Sequence, residues 1–270
     1  MKNNAVILIV TGMPRSGTSL IMQIMKILNY PIIGYKFPLL NKYKKVKNNI
    51  SSENFKKIKK YINGNPRGYY ELPKITLPEV EYCDIIKYRG SVIKIPIDKI
   101  LFSNFINFIP KYRDKLIYCL RNPVQTINSQ NNLDPPIDNN EIKKRFMRYI
   151  YILNEICEVL VQKKIREKDF LIIDYDNLIE NSQESLKQII KFINIPLNDS
   201  MIQDAKNNIT KNLRRASQKW PINNDIIDIA LNMYKSFQKY NFGKVNQIYL
   251  ENNLDKNTLI NTKKEFNWYN

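Results

Sequence analysis

Residues 5–19 read AVILIVTGMPRSGTS, an apolar run that passes at Thr11-Gly12 into a short loop and at Gly17 into a hydroxyl-bearing stretch. Residues 5–11 are rich in β-branched side chains, and polar residues do not alternate with them. That is the pattern of a strand covered on both faces in a parallel sheet. From about Gly17 onward, Leu20, Ile21, Ile24, Met25 and Leu28 recur at helical spacing. The helix should stop before Tyr30-Pro31, because the residue ahead of a proline disfavours the α region. A loop placed between such a strand and helix points backbone N–H groups and the positive helix end at an anion. Gly12 and Gly17 permit close backbone approach. The hydroxyls of Ser16, Thr18 and Ser19 add donors, and Arg15 adds a cation.

The two glycines have the spacing of the ATP-type loop G-x-x-x-x-G-K-[ST], but Thr18 stands where the lysine belongs. The cation has moved into the loop as Arg15. In nucleoside triphosphate chemistry that lysine reaches the transferred phosphate, so its absence speaks against an ordinary kinase or ATPase.

Working outward, residues 91–95 and 115–120 read as further strands, and residues 170–173 as a fourth. A long amphipathic helix is expected over residues 141–165, with Ile142, Phe146, Ile150, Leu153, Cys157 and Leu160 facing inward. Residues 51–62 predict a short helix ended by Asn63-Gly64-Asn65-Pro66, and residues 133–140 (LDPPIDNN) a loop. Residues 178–193 predict a late helix that breaks at Ile195-Pro196. Strands alternating with helices imply an α/β fold with a parallel sheet and right-handed crossovers. With no repeats and no linker, residues 1–270 read as one domain. Residues 35–80 are expected to form a helical and loop insertion, and the polar residues 241–270 a loosely ordered tail.

A second segment carries chemistry. Residues 115–120 (KLIYCL) are followed by Arg121-Asn122-Pro123, and the stretch continues to Ser129. Pro123 suits the first turn of a helix. Arg121 ahead of that helix and Ser129 two turns into it are placed to converge on one phosphate, through a planar fork of donors and one hydroxyl.

PRSGTS after a buried strand resembles the 5′-phosphosulfate loop of the sulfotransferase family. Residues 115–129 resemble its 3′-phosphate segment: a strand, an Arg, a Pro two residues later and a Ser eight residues after the Arg. NPRGYYE at residues 65–71 looks like a turn carried by a group of bacterial members, and the likeness runs over residues 5–195. It implies a three-layer α/β/α architecture of the P-loop-containing nucleoside triphosphate hydrolase type. It also implies transfer of a sulfuryl group from 3′-phosphoadenosine 5′-phosphosulfate to a hydroxyl or amine, without a metal. On that likeness Pro14, Arg15, Ser16, Gly17, Thr18 and Ser19 would hold the phosphosulfate, and Arg121 with Ser129 the 3′-phosphate. Tyr175, in FLIIDYDN, would sit in the adenine region or serve as an ordinary core-edge residue. Arg214 and Arg215, with Ser217 and Lys219 in LRRASQKWP, would close over the nucleotide or remain solvated surface charge.

Lys94, in VIKIP, resembles the strand-end lysine that many members hold near the transferring group. Where several members place a histidine base, this chain has Pro96. Another residue must then take the acceptor's proton, and the resemblance implies a glutamate, which some members use. Glu71 is the first choice, behind a rigid turn beside aromatic residues that would raise its pKa, with Asp98 and Asp134 as alternatives.

Composition sets the limits. Of 270 residues, 43 are Lys or Arg against 25 Asp or Glu, giving a net charge of +18. A field of that sign attracts anionic partners or simply keeps the chain in solution. There is no histidine, which excludes Ser-His and Cys-His catalysis and leaves little with which to ligate zinc. Cys83, Cys119 and Cys157 have no paired spacing, as expected of a reducing cytoplasm. The apolar run at residues 5–10 is too short for a signal segment or a membrane span. Two alternatives stay open: a P-loop nucleotide or small-molecule kinase with Asp174 as its magnesium ligand, and a non-catalytic binder of acidic glycan or nucleic acid. Nucleic-acid motifs with interleaved aromatics are not evident. The acceptor pocket would be built by residues 35–63 and 133–140.

Overall fold

The computed structural model describes residues 6–34, 70, 86–102, 109, 111–133, 135–136, 138–162, 165–196, 198–209 and 224–252. Strand β1 (Leu8–Gly12) is buried at every position, as its unbroken apolar run requires, and leads through the loop into helix α1 (Thr18–Ile27). A two-residue edge strand, β2 (Ile32–Ile33), follows. Then come β3 (Val92–Lys94), α2 (Ile97–Phe102), β4 (Lys115–Leu120), α3 (Pro123–Leu133) and α4 (Asn139–Gln162). Strand β5 (Phe170–Asp174) is followed by α5 (Tyr175–Glu180), α6 (Ser182–Ile193), α7 (Asp199–Asn208), α8 (Asn224–Gln238) and α9 (Phe242–Glu251).

The described strands form one parallel sheet in the order β2-β3-β1-β4-β5. Alternate residues feed two cores. Ile7, Ile9, Ile93, Leu116, Tyr118, Leu120 and Phe170 pack with α3, α4, α8 and α9 on one face. Leu8, Val10, Val92, Ile117, Cys119 and Ile173 pack with α1, α5, α6 and α7 on the other. This is the three-layer α/β/α arrangement the sequence implies, and the inward faces expected for α1 and α4 are buried as anticipated.

Register matters for function. Gly12 pairs with Cys119, Val10 with Lys94 and Leu120 with Asp174, so β1, β3, β4 and β5 all end on one edge. Strand order reverses direction around β1, and ligands of such sheets bind in the crevice at that switch point. The opposite edge is closed by a buried carboxylate: Asp114 Oδ1 accepts the Ile7 N–H at 2.9 Å, with Arg89 Nη2 3.9 Å away.

Two expectations need correction. Residues 178–193 are not one helix. Asp174 Oδ1 accepts the Asn177 N–H at 2.9 Å and starts α5 early, and the chain leaves helical geometry at Asn181 before α6 begins. Nor is the chain loose directly after residue 241. Asn241 caps α9, and Val245 and Tyr249 are buried. The composition is polar, but Val245, Ile248 and Tyr249 at helical spacing form a stripe that packs on the core. The expected helix at residues 51–62, the insertion at 35–80 apart from buried Tyr70, and residues 253–270 lie outside the described residues.

Candidate nucleotide-binding site

Four chain segments meet at the carboxyl edge. The loop between β1 and α1 turns on Gly12, Arg15 and Gly17, whose φ angles are 153°, 75° and 103°. A non-glycine residue in the left-handed region is uncommon and strained, so the position of Arg15 must be enforced by its neighbours. The structure shows how. Arg121 Nη1 donates to the Arg15 carbonyl at 3.0 Å, Gln130 Nε2 to the Pro14 carbonyl at 2.9 Å, and Arg15 Nε to Ser129 Oγ at 3.1 Å. Side chains at and after the end of β4 therefore hold two carbonyls of the loop outward. Helix α1 starts without a side-chain cap, its N-cap being Gly17. An uncapped helix start presents N–H groups and partial positive charge to an anion. The Ser16 hydroxyl is buried within the loop and has no hydrogen-bond partner among the described residues. Uncapped start, buried hydroxyl and surrounding cations make a donor set that suits a phosphate or sulfate.

Lys94, at the end of β3, donates to Ser19 Oγ in the first turn of α1 at 3.3 Å. The strand-end lysine thus reaches the same helix start from the neighbouring strand. Three cations, Arg15, Lys94 and Arg121, stand around one loop.

Behind the loop, Tyr175 opens α5 with its ring buried. The Arg121 guanidinium lies 4.3 Å from the ring centroid. An added Cβ on Gly17 would meet Tyr175 Cδ2 at 2.4 Å. Gly17 is therefore needed for packing as well as for φ, and the tyrosine ring supports both the loop and Arg121.

Arg121 follows the last ladder pair of β4, and its backbone is held from below. Its carbonyl accepts from Tyr149 Oη at 2.7 Å and from Thr126 Oγ1 at 3.5 Å. Asn122 Oδ1 accepts the Val124 N–H at 3.0 Å and so caps α3, in keeping with Pro123 as its first residue. Burial pushes the Tyr149 and Tyr234 phenols above their usual range, Tyr234 additionally through Asp174, so both remain donors. Burial likewise pushes the Cys119 thiol up, against the opposing charge of Lys94, which denies it a thiolate role.

Asp174 is committed elsewhere than the kinase alternative requires. Oδ1 caps α5, and Oδ2 accepts Tyr234 Oη at 2.7 Å. Each oxygen thus accepts a hydrogen bond within the protein, which gives Asp174 a structural role that needs no metal. The structure thus brings together Pro14, Arg15, Ser16, Gly17, Thr18, Ser19, Lys94, Arg121, Ser129 and Tyr175. Glu71, Asp134, Arg214, Arg215, Ser217 and Lys219 lie outside the described residues, as does the side chain of Asp98. Tyr149, Tyr234 and Gln130 were not assigned roles from sequence. A polar-tipped tyrosine between Phe146 and Ile150 on a buried stripe was the available signal, since a buried Tyr hydroxyl seeks a partner.

The family described as the sulfotransferase domain matches residues 6–247. No curated protein matches the chain. Among solved structures, the sulfotransferase domain of the Synechococcus PCC 7002 olefin synthase is similar over 88% of this chain and 96% of that one, with 13% identity and a TM-score of 0.51. The sulfotransferase domain of the curacin biosynthetic pathway is 16% identical over 87% of this chain and 98% of that one, with a TM-score of 0.48. Mouse sulfotransferase SULT7A1, solved in complex with PAP, is 16% identical over 80% of this chain and 68% of that one, with a TM-score of 0.47. At such identities the structural likeness is one of fold. The family match runs from Val6, two residues ahead of β1, into α9, across every segment that builds the loop and its clamp, and the chain belongs to the sulfotransferase family.

Proposed function

We propose that this sulfotransferase takes its sulfuryl group from 3′-phosphoadenosine 5′-phosphosulfate and passes it to a hydroxyl or amine. The observation that carries the proposal is the joining of the two anion-reading segments. Arg121 reaches the Arg15 carbonyl across 106 residues of sequence, and Arg15 reaches Ser129 across 114. One nucleotide with two phosphate groups fits a site in which the loop and the β4 arginine are neighbours.

In this reading the loop N–H groups and the start of α1 hold the 5′-phosphosulfate, with Pro14, Ser16, Gly17, Thr18 and Ser19 shaping the cradle. Arg121 and Ser129 hold the 3′-phosphate, and Tyr175 positions Gly17 and Arg121 from behind. In-line transfer forms a bond from the acceptor heteroatom to sulfur while the bond from sulfur to the phosphate oxygen breaks. Negative charge grows on that departing oxygen, and Arg15 and Lys94 neutralise it. The acceptor's proton leaves to a carboxylate, with Glu71 proposed and Asp98 or Asp134 as alternatives. Arg214 and Arg215 are proposed to cover the bound nucleotide, and residues 35–80 to form the acceptor side of the single domain. The +18 charge suits an acidic acceptor. Among the described residues no helix is long and apolar enough to cross a membrane. Buried Cys119 and Cys157 are free thiols, in keeping with a proposed cytoplasmic setting.

A thermal melt with adenosine 3′,5′-bisphosphate tests the proposal. At 100 times Kd, ligand binding stabilises the native state by about 2.7 kcal/mol. Wild type should melt higher, Arg121→Ala should lose most of that gain, and ATP with magnesium should give none. No bisphosphate-dependent rise in the wild type sinks the assignment.

A further inference from the structure

The residue that reads the 3′-phosphate stands where regular hydrogen bonding fails. The β4–β5 ladder ends at Leu120↔Asp174, and the first backbone bond of α3 runs from the Thr126 N–H to the Asn122 carbonyl. The Arg121 carbonyl belongs to neither. A peptide between a strand and a helix is free to pivot, and pivoting it swings the side chain. Here the peptide is fixed by a side chain from another layer: Tyr149, in the middle of α4, donates to it at 2.7 Å, whereas Thr126 is at 3.5 Å. Tyr149 is 1% exposed, and its ring is part of the core beneath the sheet. Its hydroxyl spans from that core to the edge on which the loop sits.

We infer that Tyr149 is a positioning residue that sets the aim of Arg121 and thereby the preference of the site for a 3′-phosphorylated nucleotide. The inference rests on the nucleotide reading above. The order of contacts is Tyr149 Oη to the Arg121 carbonyl, and Arg121 Nη1 to the Arg15 carbonyl. Tyr175 holds the face of the same guanidinium. Tyr149 bears chiefly on the 3′ end, because the loop is also held by Gln130 at the Pro14 carbonyl and by Ser129 at the Arg15 side chain. A 5′-phosphate on the loop is read by N–H groups and by α1, which Tyr149 does not touch.

Tyr149→Phe keeps the ring and removes the donor. Isothermal titration of the full chain with adenosine 3′,5′-bisphosphate and, separately, adenosine 5′-phosphate reads the effect. The bisphosphate should weaken about fivefold to tenfold, the scale of one net hydrogen bond. The monophosphate should weaken less, by no more than about twofold, since Gln130 and Ser129 also hold the loop when Arg121 shifts. Ile150→Val, a neighbouring fully buried substitution on α4, serves as the stability control and should leave the ratio of the two affinities at its wild-type value. Arg121→Ala should abolish the ratio. If Tyr149→Phe binds the bisphosphate as wild type does, or weakens both nucleotides equally, the positioning role is refuted while the nucleotide site stands. If wild type itself binds the two nucleotides alike, the reading of the site falls and this inference with it.

Discussion

Replacing Gly17 by alanine should damage this protein far more than adding one methyl group usually does. The residue has φ 103°, and the new Cβ would stand 2.4 Å from Tyr175 Cδ2 and 3.0 Å from Cε2. Tyr175 cannot step aside, because its ring is 7% exposed and lies against the Arg121 guanidinium. The left-handed backbone costs about 1–2 kcal/mol for a residue with a Cβ. Forcing a methyl group into packed surroundings costs about 1–3 kcal/mol more. The sum is roughly 2–5 kcal/mol, a large part of the stability of an ordinary domain. Urea unfolding followed by circular dichroism measures it. Gly243→Ala is the internal control, since its added Cβ meets nothing within 4 Å in the first turn of α9. That variant should gain up to about 1 kcal/mol. A double-mutant cycle with Tyr175→Ala separates collision from backbone strain: the double mutant should lose less than the sum of the two single losses, by about 1–3 kcal/mol. Gly17→Ala within about 0.5 kcal/mol of wild type would refute the claim that Tyr175 and the loop are packed as one unit.

Asp174→Ala removes the cap of α5 and strands the buried Tyr234 hydroxyl. The expected loss is about 1 kcal/mol for the cap plus about 1–3 kcal/mol for the hydroxyl, read by urea unfolding. A near-neutral Asp174→Ala would show that these bonds are not formed. Alkaline stability follows from the buried phenols. Tyr149 and Tyr234 hold their protons more tightly when folded than the ordinary value of 10.0. Above about pH 10 the unfolded chain therefore binds fewer protons than the native one, and stability falls as pH rises, by up to about 1.4 kcal/mol per pH unit for each phenol. Lys115, whose pKa burial lowers, acts with the opposite sign only until the unfolded lysine itself deprotonates near 10.5. Tyr234→Phe should make the alkaline decline shallower, and an unchanged slope would contradict the assignment.

The site was legible where its chemistry is local and illegible where it depends on which layers meet. AVILIVTGMPRSGTS reads as strand, anion loop and helix because its periods and glycines are contiguous, and that is how β1 and α1 form. Arg121 and Ser129 were visible as a pair two helical turns apart. That Ser129 accepts from Arg15 was not visible, because the contact needs β4 beside β1. The partners of Tyr149 and Tyr234 were hidden for the same reason, since each reaches the sheet from a helix packed on one face. Edge strand β2 has two residues, too few to show an alternation. In α9 the apolar spacing was present but outweighed by polar composition, and tertiary packing rather than propensity decides such a helix.

The strand order has a consequence for how the chain acquires its activity. Gly12 and Cys119 lie on adjacent strands, and the Arg121–Arg15 contact closes a loop of 106 residues. Closing so long a separation is slow relative to making helices. A refolding chain should regain its helical circular dichroism well before it captures bisphosphate. A proteolytic fragment ending ahead of β4 should capture none, even though it carries the whole glycine loop.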